Sequence, residues 1–455
     1  MKNILVLTTG FSRDPLIHCI DDLGPDRVVF LCSRDTRKTV DEIVEKRPLR
    51  EDYGFQEDAD VVMLGQHLGR KDPEGTSNEL DQLDAVYVKA SDTFAQLRRE
   101  NPGCRISVDY TGGTKTMTAG LALAAMDDLR VEKLLLTSER RKANEPSISG
   151  YSKPVPVNRG RVYRSRILKA QLPGPLKRFD YVGGLEVIGS AWSLLEEDPH
   201  CDDIRQLKTA LKAFDAWDRF DHGEALKILK SLTGEELWTG WFRRLKRVIG
   251  SRQQLDLEPQ TQAWQSEKGH GFEVVEDLLL NAERRVTQKR YDDAVGRLYR
   301  AMELIAQLLL RFSVRERLSG DGTTEGICTG DVVIEHLPEH LRSAYREKKK
   351  QSRKGEGPLQ LALTESYKLL ADLDHPAGAL WNEREGRLKD ALKHRNNSLF
   401  AHGFQPISYS QWTEFNNIVG PFIRETISAE TSTGSKPFPL IPQFPSALDK
   451  LGFDE

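Results

Sequence analysis

The sequence predicts a two-part protein: a doubly wound α/β domain over residues 1–172, then an all-helical remainder. Three observations carry this. Short β-branched runs alternate with helical patterns through the first 140 or so residues. From about Leu176 onward the periodicity is helical throughout. Near the end of that helical part, Arg395 and His402 interrupt an otherwise apolar stripe.

In the α/β domain, Ile4–Leu7, Arg27–Leu31, Asp60–Leu64, Arg105–Val108 and Lys133–Thr137 read as buried strands of a parallel sheet. Helices fall between them, notably Glu79–Glu100 and Thr116–Leu129. Arg161–Ile167 reads as a further strand that closes the domain after the turn-rich segment Asn144–Arg159. A ligand of such a domain is expected at the carboxyl ends of the strands.

The helical part divides in two. Gly183–Leu195, Ile204–Phe220, Gly223–Leu232 and Leu237–Gln253 form a connector, residues 173–262. Gly271–Lys289, Tyr291–Ser313, Leu359–Leu373, Trp381–Ala401 and Ser410–Ile427 form a second helical domain, residues 263–430. A tail, residues 431–455, carries Pro437, Pro439, Pro442 and Pro445 and is expected to run extended along the surface.

Composition narrows the function classes. With 38% hydrophobic and 30% charged residues the chain reads as globular, and 455 residues exceed one ordinary core. The 66 basic and 69 acidic residues nearly cancel, so contact with nucleic acid must come from local patches, and a nonspecific duplex coater is disfavoured. No apolar run approaches the roughly 20 residues of a membrane span, and no signal-peptide cleavage pattern follows Met1, so a cytoplasmic protein without membrane contact is expected. Cys19, Cys32, Cys104, Cys201 and Cys328 are scattered without a C-x-x-C pair, which fits reduced thiols used in packing. No H-E-x-x-H and no D-x-D array points to a metal site.

Strand Arg105–Val108 runs into Asp109-Tyr110-Thr111-Gly112-Gly113-Thr114-Lys115-Thr116, which opens an apolar helix. Paired glycines let backbone amides approach a ligand, the hydroxyls of Thr111, Thr114 and Thr116 can donate to phosphate or ribose, Lys115 adds a cation and the helix dipole favours an anion. A Walker A loop needs glycine before its lysine, where this chain has Thr114, and no G-x-G-x-x-G is present. A plain tight turn with Thr114 as N-cap is the structural alternative. Strand Ile4–Leu7 ends in Thr8-Thr9-Gly10-Phe11-Ser12. If the first and fourth strands adjoin at the switch point, the two loops flank one crevice suited to phosphates or nucleotides.

At about 100° per residue, Leu388, Leu392, Arg395, Leu399 and His402 project from one side of a helix. A guanidinium grips phosphate and an imidazole moves protons near neutrality, so Arg395 with His402 suggests handling of a phosphodiester. Asn396 is the candidate for orienting the substrate or His402. A core histidine beside an acid-paired arginine is the bland alternative. The basic stretch Arg342–Lys354 is either a solvated face or a rim that attracts an RNA backbone.

With Thr8–Ser12 and Asp109–Met117 placed after strands, the first domain resembles the CARF sensor domain of CRISPR-associated proteins, a Rossmann-like fold. The C-terminal helices resemble a HEPN ribonuclease domain. That superfamily is marked by Arg, a short spacer and His, often with Asn directly after the Arg. Here Arg395-Asn396 is followed by His402 after six intervening residues, a long spacer for this motif. The helix Arg290–Glu303 resembles the earlier core helix of such domains, and the order CARF, connector, HEPN is that of the Csm/Csx ancillary ribonucleases of type III CRISPR systems.

The resemblance implies a cyclic oligoadenylate, made by the polymerase subunit of the type III effector, as allosteric activator bound by Thr8, Thr9, Gly10, Phe11, Ser12, Tyr110, Thr111, Gly112, Gly113, Thr114, Lys115 and Thr116. It implies a homodimer in which paired Arg395, Asn396 and His402 cut single-stranded RNA without a metal or other cofactor. It also makes the α/β domain a candidate for cleaving the ring itself through Thr114 or Lys115. The competing reading is a ligand-responsive binding protein whose HEPN fold dimerises or grips RNA without cutting. A transcription factor is disfavoured, because no basic helix-turn-helix unit follows residue 170.

Overall fold

The computed structural model describes residues 1–46, 55–64, 82–139, 152–253, 269–313, 332–351, 359–396, 404–431 and 441–453. They fall into two compact units: residues 1–166 with 191–201, and residues 167–190 with 202–455.

The first unit is built on strands β1 (Asn3–Thr8), β2 (Arg27–Cys32), β3 (Val61–Met63), β4 (Arg105–Asp109), β5 (Val131–Glu139) and β6 (Ser152–Pro156), in the order β3-β2-β1-β4-β5-β6. The first five are parallel and β6 pairs antiparallel to β5. Both faces are covered, so the strands are apolar at successive positions rather than alternating. Ile4 and Val6 pack with helices Leu83–Glu100 and Lys115–Asp127, whereas Leu5 and Leu7 pack with helices Asp14–Leu23 and Arg37–Lys46. β1 and β4 adjoin with Ile4 opposite Ile106, which puts the switch point between them.

Arg161–Ile167 is not a strand. Arg159–Arg166 is a helix followed by a π-helical turn, Ile167–Gln171, and the closing strand is β6. Arg159 and Tyr163, one helical turn apart, are both buried. The Arg159 guanidinium donates to the carbonyls of Val131 and Asp128, and the Tyr163 hydroxyl donates to that of Met126. Those carbonyls lie around the turn into β5, and satisfying them takes two long donors one turn apart, which a helix presents and a strand does not.

The second unit is helical. Around Tyr181, helices Tyr181–Ser190, Cys201–Asp218 and Glu236–Gln253 enclose an aromatic core of Phe214, Trp217, Trp241 and Phe444. Phe444 belongs to the Pro-rich tail, which is therefore not a surface strap. Its ring is 1% exposed and within 5.0–6.3 Å of four aromatic rings, while Ile441 and Leu451 are also buried. Ile441, Phe444, Leu448 and Leu451 give the described part of the tail an apolar face to bury. The tail is pinned by Ile441 N–H to Glu276 at 3.0 Å and by the Tyr181 hydroxyl to the Pro445 carbonyl at 2.9 Å.

Helices Glu273–Thr287, Tyr291–Leu308, Leu363–Asp372, Pro376–Asn396 and Tyr409–Thr431 form the remaining bundle. At its centre Trp381 stacks on Tyr367 at 4.7 Å, with Phe422 packed against both. Among the described residues no helix is long and apolar enough to cross a membrane.

Candidate functional site

The two sequence-predicted loops of the α/β unit meet. Thr8 ends β1, and Thr9 N–H still bonds the Leu31 carbonyl at 3.0 Å, so the chain leaves the sheet only at Gly10. After β4, Asp109 turns the chain. One carboxylate oxygen accepts from Thr111 N–H at 2.8 Å and the other from the Thr137 hydroxyl at 2.6 Å, while Thr137 N–H donates to the Thr111 hydroxyl at 2.6 Å. This Asx turn points Gly112-Gly113 back toward β1. A Cβ on Gly112 would lie 2.4 Å from the Thr8 carbonyl oxygen, and one on Gly10 would lie 2.7 Å from Gly113 N. Only glycine permits that crossing, and Gly113 also takes φ +99°.

Thr114 then caps helix Lys115–Asp127, its hydroxyl accepting from Met117 N–H at 3.2 Å. The structural alternative and the ligand reading therefore coexist, because Thr114 and Lys115 remain exposed at this helix N-terminus. Phe11 is 81% exposed and Ser12 is exposed beside it. Thr8 and Thr9 sit lower, fully buried, and neither hydroxyl has a hydrogen-bond partner among the described residues. Tyr110 and Thr116 are half-buried. Burial raises the Tyr110 pKa, and the charge of Asp109 adds to the effect. Beneath the loops, burial likewise pushes the Cys19 thiol far up, reinforced by Asp109. Cys19 is thus a packing residue, as are buried Cys32 and Cys201, whereas Cys328 lies outside the described residues.

A phosphate or nucleotide fits this rim. It offers hydroxyls, one lysine, an exposed aromatic ring and a capped helix N-terminus, with glycines where backbone must come close. The residues that the sequence reading left out are Asp109 and Thr137, which tie the second loop to β5. An aspartate three positions before a glycine pair is the signal that could have found Asp109.

In the helical unit, helix Pro376–Asn396 carries the backbone of Arg395. Its first turn is fixed by His375, which is 1% exposed and accepts from Ala377 N–H through Nδ1 at 3.2 Å. Leu388 and Leu392 of the predicted stripe are buried. Arg384 grips Glu425 of the last bundle helix with two hydrogen bonds, 3.1 and 2.6 Å. The side chains of Arg395 and Asn396, and all of Leu399, His402 and Gly403, lie outside the described residues. The chain is next described at Phe404, and Ile407 N–H donates to Asp292 at 3.0 Å while Tyr409 packs edge-on against Tyr291 at 5.7 Å.

The basic stretch is helical over Glu339–Gln351, and several of its cations are engaged. Arg342 donates to the Leu337 carbonyl at 2.7 Å and Lys348 pairs with Glu365 at 2.9 Å. Arg353 and Lys354 lie outside the described residues. Among the described residues no group of three or more His, Cys, Asp or Glu is placed to hold a metal ion.

A doubly wound unit with glycine loops at its switch point is followed along the chain by a helical bundle. Within that bundle, residues 264–425 match the family model described as the Csm6 HEPN domain. Enterococcus italicus Csm6 bound to cyclic hexa-2′-fluoro-hexa-dAMP has a similar fold, with a TM-score of 0.57, 13% identity and 96% of each chain covered. Comparison with the curated proteins gives no sequence match.

Proposed function

We propose that the protein is a cyclic oligoadenylate-activated, metal-independent endoribonuclease that cuts single-stranded RNA in type III CRISPR antiviral defence. The observation that carries this reading is the match of residues 264–425 to the Csm6 HEPN domain, because the Arg395-Asn396…His402 motif falls inside that range. In this proposal residues 1–172 sense the ring, 173–262 connect, 263–430 cut and 431–455 form the tail. The solved fold relative was captured with a cyclic hexanucleotide analogue, which supports a ring as activator of this chain.

RNA carries its own nucleophile, the ribose 2′-OH, so such an enzyme need only align it with phosphorus, move protons and neutralise developing charge. His402 serves as general acid or base, Arg395 grips the phosphate, and Asn396 orients the substrate or His402. The products are a 2′,3′-cyclic phosphate and a 5′-hydroxyl. A homodimer joins two Arg395–His402 sets across a two-fold axis, in the cytoplasm where the effector polymerase supplies the ring. The ring seats on Thr8–Ser12 and Tyr110–Thr116. Exposed Thr114 and Lys115 are the groups through which this domain would also cleave its activator.

The test is a fluorogenic RNA assay of wild type and His402→Ala with cyclic tetra- and hexa-adenylate, with and without EDTA. Ring-dependent, EDTA-resistant cleavage that His402→Ala abolishes is the expected result. No activation by either ring would favour the ligand-responsive binding protein instead, and loss of activity in EDTA would defeat metal independence.

A further inference from the structure

The helical unit contains a second place built for an anion, separate from the residues assigned above. A cavity of about 470 Å³ opens between the start of helix His222–Lys230, the end of helix Glu236–Gln253, and helices Glu273–Thr287 and Tyr291–Leu308. Its floor is apolar, with Phe220, Val274, Leu278 and Leu304. Three arginines, Arg252, Arg297 and Arg300, line it, and among the described residues no carboxylate does. A pocket with an apolar floor and a cationic wall, in the size range of ligand sites, suits a planar ring that carries a negative charge.

The cations differ in how free they are. Arg297 is committed, donating to Asn281 at 2.8 Å and to Asp293 at 2.9 Å. Arg300 is half-exposed and shares one ion pair, with Glu303 at 3.1 Å. Arg252 is exposed, touches the Phe220 carbonyl at 3.5 Å and has no acidic partner among the described residues. His222 lines the same cavity and is 2% exposed. Its Nε2 faces Asp277 at 3.1 Å, and its Nδ1 is buried without a partner. With the Asp277 carboxylate accepting from Nε2–H, Nδ1 is left as an acceptor that lacks a donor.

Phe220 adds an independent sign. It ends helix Cys201–Asp218 at φ +62°, with its N–H on the Trp217 carbonyl at 2.8 Å and Asp221 N–H on the Ala216 carbonyl at 2.9 Å. This is a C-terminal motif that normally takes glycine. A bulky ring in that conformation is strained, and the cavity is what the ring faces.

We infer that this cavity is a nucleotide site: the base lies against Phe220, Leu278 and Leu304, a base amino group donates to His222 Nδ1, and the phosphate is held by Arg252 and Arg300. A free mononucleotide and one nucleotide of an RNA strand present the same chemistry. The site does not depend on Arg395 and His402 cutting RNA.

The test measures binding of adenosine 5′-monophosphate and of a 2′-fluoro RNA hexamer to the full chain, with no ring activator and no cleavage readout. The variants are Arg252→Glu, Phe220→Gly, which suits the left-handed backbone, and Gly296→Leu, whose Cβ meets open space and whose side chain fills the cavity. Each should melt no lower than wild type and weaken binding at least about tenfold, the scale of one lost base–aromatic stack. Parallel losses for both probes assign the site to an RNA nucleotide, and losses for the mononucleotide alone assign it to a free one. Wild-type protein that binds neither probe, or variants that all retain wild-type affinity, would overturn the inference.

Discussion

Gly112 approaches the Thr8 carbonyl so closely that a single added Cβ would stand 2.4 Å from the oxygen. The two loops of the α/β unit are thus one device, locked backbone to backbone at the strand switch point, with their exposed groups on its rim. In the proposed function, a ring bound at this rim would meet both loops together.

Gly112→Ala forces this crossing apart, because the obstacle is backbone and cannot rotate away. The expected cost is about 1–3 kcal/mol of stability, as for overpacking, with activation requiring at least about tenfold more cyclic oligoadenylate. Thermal melting and a ring titration of RNA cleavage check this. Wild-type activation at wild-type ring concentration would show that the crossing is unnecessary.

Gly386 makes the contrasting case within helix Pro376–Asn396, where a Cβ would meet nothing within 4 Å. Here alanine removes only the backbone entropy that glycine costs a helix. Gly386→Ala should raise stability by about 0.5–1 kcal/mol, measured by urea unfolding, with ring-dependent cleavage unchanged.

Much of the fold was legible, for reasons that particular residues make plain. Strands β1, β2 and β4 are covered on both faces, so runs such as Ile4–Leu7 leave no other reading. The adjacency of β1 and β4 stood as a condition in the sequence and is met in the sheet. Three features were hidden. Arg159 and Tyr163 form a helix because carbonyls distant in sequence need their donors. The helix bearing Arg395 begins at Pro376 rather than Trp381, because its cap is a buried histidine, outside the usual capping residues. Phe444 reaches an aromatic core from a Pro-rich tail, and composition alone says nothing about where such a segment is drawn. The glycine loops could be found because their chemistry is local, whereas the ties of Asp109 to Thr137 and of His222 to Asp277 join distant segments.

Asp218 shows how far charge is committed to structure in the helical unit. It accepts from Arg284 Nε at 2.7 Å, from Asn281 at 3.0 Å and from Arg285, while Arg284 itself is fully buried and lies 3.8 Å from the Phe444 ring centroid. Removing one partner strands a buried guanidinium. Asp218→Ala should therefore cost about 3–5 kcal/mol, read as a lower urea midpoint with unchanged slope, and Asp218→Asn should cost less because it keeps an acceptor.

His270 gives the stability a pH dependence. Burial works against its charge, but the hydrogen bond to Glu276 at 3.1 Å and the fields of Glu273 and Glu276 outweigh burial and hold its pKa above the ordinary value. A folded pKa above the unfolded one means the stabilisation is fully present below about pH 6.5 and is lost as pH rises through the folded pKa. Melting temperature should fall over that interval, and His270→Gln should flatten that part of the profile. An unchanged slope in the variant would assign the dependence to another group.

The proposed chemistry makes the sharpest demand on Arg395 and His402. If His402 moves a proton in the rate-limiting step, His402→Ala should lower ring-activated cleavage by about 10²–10⁴-fold, while ring binding and melting temperature stay at wild-type values. Arg395→Lys keeps the charge but not the planar fork, so it should lose activity nearly as far as Arg395→Ala. A half-site completed by a second copy predicts one thing more. Mixing His402→Ala subunits with Arg395→Ala subunits, each inactive alone, gives heterodimers in which each half carries one lesion. Recovery of activity in the mixture would mean that one intact residue from each chain suffices. Persistent inactivity with ring binding intact would mean that one Arg395 and one His402 on opposite chains do not make a working site.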